Sequence, residues 1–105
     1  MAKYLFQITY TEEGLQDVLK EGGYKQREIL ETAIRSLDGW LEVMYFSFGE
    51  VDIFLVTELP DNVSAAAFSM IASSAGASRI KTTVLISPEE IEKASKKTIT
   101  YRPQG

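Results

Sequence analysis

Asp52, Ser47, Tyr45 and Gln7 are the side chains whose type and placement could do chemistry in this sequence. Asp52 follows a Gly49-Glu50 turn and opens an apolar run, "VDIFLVTEL". A carboxylate held half out of water resists ionisation, and that suits it to proton transfer or to anchoring a ligand. Its plainer role is to accept backbone N–H groups at a hairpin. Tyr45, with Tyr10 and Tyr4, could orient a substrate through a phenolic hydroxyl, or could simply be an amphipathic core aromatic. Gln7, Thr9 and Ser47 are polar residues on strand-like segments. They could line a cavity, or pair across strands at a wet sheet edge.

What is missing narrows the chemistry further. There is no histidine and no cysteine among the 105 residues. The commonest general base, the commonest metal ligand, thiol nucleophiles and disulfides are therefore excluded. No phosphate-cradling glycine loop, metal-ligand spacing or nucleophile elbow occurs. No cofactor and no metal is expected. The net charge of −4 disfavours nonspecific binding to nucleic acid or to anionic membranes. Neither is expected as a partner. The opening "MAKYLFQITY" lacks the apolar block of a signal peptide, and no apolar run approaches the ~20 residues of a membrane span. Cytoplasmic residence is the default expectation.

The elements that must position these residues follow from period and punctuation. "KYLFQITY" (3–10) reads as a strand. Thr11 can cap a short helical turn that Gly22-Gly23 stops. In "YKQREILETAIRSLDG", Ile29, Leu30, Ala33, Ile34 and Leu37 recur at helical spacing, and Gly39 stands where a C-terminal cap is expected. "WLEVMYFSF" (40–48) and "VDIFLVTEL" (51–59) read as a hairpin around Gly49-Glu50. That register sets Phe48 opposite Val51, Ser47 opposite Asp52, Phe46 opposite Ile53 and Tyr45 opposite Phe54. Pro60 breaks the strand, and Asp61 can cap an Ala-rich helix that Gly76 ends. "SRIKTTVLI" (78–86) is a fourth strand. Ser87, Pro88 and Glu90 form a helix-start signal, and "TITYRPQG" is a β-prone tail.

Strand, helix, strand, strand, helix, strand is the ferredoxin-like α+β arrangement: one antiparallel sheet with helices on one face. The chain length suits a single domain spanning 1–105. Strict alternation places Trp40, Met44, Phe46, Phe48, Val51, Ile53 and Leu55 on one side of the hairpin. Leu41, Val43, Tyr45, Phe54 and Val56 take the other, with Ser47, Asp52 and Glu58. Both sides are largely apolar, yet two helices cover only one of them. The uncovered side calls for a partner, most simply a second copy of the same sheet. Lys93, Lys96 and Lys97 cluster at the end of the last helix, where a positive charge complements the helix dipole.

"FGEVDIFLVTELPDNVSAAAF" resembles the signature region of the GYD-domain family, through Gly49, Val51, Asp52, Glu58, Pro60 and Asp61. "MAKYLFQITYTEEGL" is similar to that family's opening, and "KTTVLISPEEIEKASKKTITYRP" to the C-terminal part of one bacterial branch. Val51 stands where the family commonly has its tyrosine, so no chemistry by that hydroxyl is available here. The resemblance implies a dimeric α/β barrel, two ferredoxin-like subunits joined sheet to sheet, and implies no catalytic residue. Three functions remain open. One is an oligomer binding a small apolar or aromatic metabolite through Gln7, Tyr45, Ser47 and Asp52. The second is a cofactor-free enzyme with Asp52 as general base. The third is a structural or protein-interaction module.

Overall fold

The aromatic and β-branched residues that open the chain form β1 (Ala2–Tyr10), whose alternate side chains Tyr4, Phe6 and Ile8 are buried. The computed structural model describes residues 1–47 and 49–103. After β1 come α1 (Glu12–Glu21), α2 (Gly23–Ser36), β2 (Trp40–Phe46), β3 (Ile53–Leu59), α3 (Asn62–Ser74), β4 (Ser78–Leu85) and α4 (Pro88–Ser95). The strands lie in the order β2-β3-β1-β4, and every neighbouring pair is antiparallel. This is the ferredoxin-like α+β fold that the element order predicts.

One face of the sheet carries the core. Phe6, Ile8, Ile53, Leu55 and Leu59 meet Ile34 of α2 and Ala65 and Phe68 of α3. Phe6 and Phe68 pack edge to face with ring centroids 4.7 Å apart, a favoured aromatic geometry. On α2 the packed face is Leu30, Ala33, Ile34 and Leu37. Ile29, expected on that face, is exposed. Thr57 is also fully buried, and its hydroxyl has no partner among the described residues.

The helix starts are those the sequence signals. Thr11 accepts the Gly14 N–H, Asp61 accepts the Ser64 N–H, and Ser87 with Glu90 forms a reciprocal capping box. The bonds from Ser64 hold the Asp61 carboxyl below its ordinary range. The end of α2 differs from expectation. Asp38, not Gly39, takes the left-handed conformation (φ 62°) that closes the helix. Gly39 is needed for a separate reason. A Cβ there would strike the Glu58 carbonyl oxygen and approach Leu59 Cδ2 to 2.6 Å.

The hairpin also departs from strict alternation. A bulge between Leu41 and Val43 sets Leu41 opposite Thr57 and Trp40 opposite Glu58. One extra residue exchanges the faces of everything before it. Leu41 therefore packs on the core, and Trp40 turns to the uncovered face, the reverse of the alternating assignment. Tyr45 opposite Phe54 and Phe46 opposite Ile53 hold as expected. The expected pairing of Phe48 with Val51 lies outside the described residues.

Beyond β4 the chain passes the start of β1, where Ile86, Ser87 and Glu90 share a small cleft with Met1, Ala2 and Lys3. No residue of α4 is buried, and Ile86, Ile91, Ile99 and Tyr101 are all exposed. Residues 97–103 form no strand despite their β-prone composition. The radius of gyration is 16.7 Å, against about 13 Å for a compact domain of this length. No helix is long and apolar enough to cross a membrane among the described residues.

Candidate functional site

The side of the sheet away from the helices has no cover among the described residues. Cross-strand register arranges its side chains in rows. Tyr45 lies opposite Phe54, Phe54 opposite Gln7, and Gln7 opposite Lys81. The next row is Val43, Val56, Leu5 and Thr83. Tyr45 is 69% exposed, Trp40 47%, Val43 41% and Phe54 38%. The β2/β3 half of this face is thus apolar and aromatic. The β1/β4 half is polar, and contains a depression of about 340 Å³ lined by Gln7, Thr9, Glu50, Val51, Arg79, Ile80 and Lys81. Thr9 donates its hydroxyl hydrogen to the Glu50 carbonyl at 3.2 Å, which ties the turn to β1.

Asp52 and Ser47 lie elsewhere. Both line an apolar groove of about 360 Å³ beneath α1, with Tyr10, Leu15, Val18, Leu19, Gly23 and Phe46. The four side chains singled out by sequence therefore divide between two places. Gln7 and Tyr45 share one row of the open face, whereas Ser47 and Asp52 meet at the hairpin end. Asp52, expected on the same face as Tyr45, instead turns toward α1, where its carboxylate accepts the Tyr10 N–H.

The geometry around Asp52 extends the sheet by one step. Its N–H donates to the Ile8 carbonyl (2.9 Å) and its carbonyl accepts the Ser47 N–H (2.9 Å). Its carboxylate Oδ2 accepts the Tyr10 N–H at 2.8 Å. The side chain thereby substitutes for the backbone carbonyl that the next ladder bond would use. Oδ1 has no hydrogen-bond donor among the described residues and is the atom left for a ligand or a proton. Tyr10 donates its hydroxyl hydrogen to Oε1 of buried Gln26 at 3.1 Å. Burial, and secondarily the Asp52 charge, pushes the Tyr10 phenol up to about 12. It is therefore a neutral hydrogen-bonding group at ordinary pH.

This geometry predicts how Asp52 variants behave. D52A leaves the Tyr10 N–H without its acceptor and lowers stability by about 1–3 kcal/mol. D52N retains an oxygen at that position and stays within about 1 kcal/mol of the native protein. Chemical denaturation combined with amide exchange at Tyr10 checks both. If D52A unfolds and exchanges like the native protein, the bond does not hold the ladder end.

Residues 4–95 match the GYD domain. The chain belongs to the GYD-domain family. No curated protein and no solved structure matches it. Within this GYD domain the signature positions act largely as framework. Asp52 ends the β1/β3 ladder, and Asp61 caps α3. Glu58 lies 3.9 Å from the Lys3 ammonium, which also pairs with Glu42. Val51, at the position where a tyrosine is common, lines the open-face depression.

Sequence reasoning places Phe54 on this face without naming it a site candidate, and does not consider Arg79 and Lys81, which line the depression. Arg79 and Lys81 stand two apart in a strand, so alternation alone puts them on one side. Which side, and beside which neighbours, depends on the pairing of β1 with both β3 and β4. No His, Cys, Asp and Glu cluster able to hold a metal occurs among the described residues.

Proposed function

We propose that this protein is a homo-oligomer that binds a small apolar or aromatic metabolite between its sheet and that of a second copy. The observation that carries this reading is the uncovered half-aromatic face, on which Trp40, Val43, Tyr45 and Phe54 have no covering layer among the described residues. Contiguous apolar surface of this kind marks an interaction or ligand site. A second copy is the partner that brings an equally apolar and similarly twisted surface.

Size supports adding the C-terminal segment to that contact. Four strands at ~4.8 Å and seven residues at ~3.3 Å outline a face of only about 19 by 23 Å. That falls short of the ~800 Å² per partner of a standard interface. The segment from α4 onward, with exposed Ile91, Ile99 and Tyr101, supplies further apolar surface. A helix of eight residues is not stable in isolation. Packing on the neighbouring copy would hold it.

The catalytic alternative runs through Asp52. One of its oxygens is bonded to the Tyr10 N–H, and Tyr45, the residue expected to orient substrate, lies on the open face. The interaction-module alternative rests on the exposed α4 segment, which the oligomer also accounts for. Binding without turnover fits the residues best.

Trp40 provides the test, because it is the single tryptophan and lies on the open face. Small uncharged aromatic and aliphatic compounds are titrated against the native protein while Trp40 emission and thermal stability are recorded. A saturable blue shift with a rise in Tm is expected, since a ligand bound to the folded state stabilises it by mass action. A native protein whose Trp40 emission and Tm respond to none of them, or an oligomer with a filled interior, would overturn the reading.

A further inference from the structure

We propose that the depression at the β1/β4 end of the open face is an anion subsite, and that the bound metabolite is an aryl or alkyl carboxylic acid held there by Arg79 and Lys81. The inference rests on the binding function proposed above and names the chemical class of its ligand.

Arg79 lies directly opposite Thr9, and Lys81 directly opposite Gln7. Directly paired residues project to the same side of a sheet. Both cations therefore rise from the open face, about 7 Å apart along β4. Both line the depression, with Gln7, Thr9 and Glu50. No acidic group among the described residues forms an ion pair with either cation. Glu50 reaches the rim, but its one charge leaves the depression with an excess of one cation. The Gln7 side-chain amide makes no hydrogen bond among the described residues and is free to donate.

Covering this face with a second copy removes water from it. The one positive charge that Glu50 does not balance then becomes costly to bury, and an anion between Arg79 and Lys81 offsets that cost. A carboxylate matches the planar fork of an arginine with two parallel hydrogen bonds.

The same row fixes where the rest of the ligand lies. From Lys81 the row passes Gln7 and reaches Phe54 after two strand spacings, about 10 Å. Tyr45 follows. An aromatic or aliphatic body rests on Phe54 and Tyr45 while the carboxylate lies between Lys81 and Arg79, with Gln7 beside the link. Charges on a sheet edge also serve to discourage strand addition. That role needs neither a depression nor an aromatic neighbour in register, and the test separates the two.

The experiment is calorimetric titration of the native oligomer with the series from phenylacetate to 5-phenylvalerate and with the matching amides. The acid of best-fitting length should bind at least ten-fold more tightly than its amide, and that preference should decline as sodium chloride is raised. The R79Q/K81Q double variant should lose the preference, its affinity for the acid falling to its affinity for the amide. Both residues are exposed, so the fold is expected to persist. Equal affinity for acid and amide in the native protein overturns the anion subsite and leaves the apolar site standing. So does an undiminished preference in R79Q/K81Q, which would reduce the pair to edge protection. No binding by any acid or amide of the series also overturns this proposal, and the uncharged compounds tested through Trp40 then decide the parent reading separately.

Discussion

Alanine at position 39 is expected to lower the stability of the protein by about 3 kcal/mol, at the upper end of what overpacking usually does. The reason is contact rather than backbone conformation, because Gly39 is not among the residues with a positive φ. The chain leaves α2 there and enters β2 directly against β3. An added methyl would overlap the Glu58 carbonyl oxygen, which is backbone, and would press on Leu59 Cδ2 and Cγ. Leu59 is fully buried and has no space to retreat into. Either β2 moves away from β3 or the end of α2 unwinds. The neighbouring variant has the opposite sign. D38G relieves a non-glycine residue held at φ 62°, a conformation that costs about 1–2 kcal/mol for an L side chain. Part of that gain is lost to the greater freedom of glycine in the unfolded chain. Urea denaturation of G39A and D38G tests the pair. An unchanged midpoint for G39A would show that the α2–β2 junction is not tightly fitted.

These two residues also show where sequence reading succeeds and where it stops. A glycine after the helical pattern correctly marks the end of α2, but it suggests a left-handed cap at Gly39. The cap is Asp38, a residue type that also tolerates that conformation, and Gly39 serves a contact with a strand nineteen residues later. Local signals carry local structure: the Thr11, Asp61 and Ser87 caps and the Gly76 stop (φ 84°) all read directly from their neighbours. The bulge at Glu42 does not, because "WLEVMYFSF" is apolar on both faces and gives no mark of where the alternation slips. Asp52 is an intermediate case. A backbone-bonding role was legible from its place beside a turn, but the donor, Tyr10, is forty-two residues away in sequence. Gln7, Tyr45, Phe54 and Lys81 come from four different strands, and only the register of three strand pairs brings them into one row. Likewise, the capping box of α4 was evident from Ser87, Pro88 and Glu90. That none of its residues is buried was not, since a capping signal marks where a helix begins and not what it packs against.

The second large effect concerns the open face. F54R is expected to weaken the proposed self-association at least a thousand-fold, about 4 kcal/mol, while the monomer stays folded. Phe54 lies on β3, one of the two central strands, and its side chain projects away from the core that Ile53 and Leu55 build. The chain itself therefore loses little when Phe54 is replaced. In a sheet-to-sheet pair the same position is covered, and a guanidinium there would be buried beside Tyr45 and Val56 with no acid on its row. Leaving a charge unpaired in such a place costs several kcal/mol. V84R is the matched control. Val84 is 49% exposed, comparable with 38% for Phe54, but it projects toward the helix side of edge strand β4. V84R should leave association intact if the open face is the contact. Sedimentation equilibrium reads the outcome directly. Trp40 reads it independently, since its emission should move to the red when the face is uncovered. A dissociated V84R with an assembled F54R would move the contact to the α3/β4 side. An assembled F54R with native Trp40 emission would show that the open face is not where two copies meet.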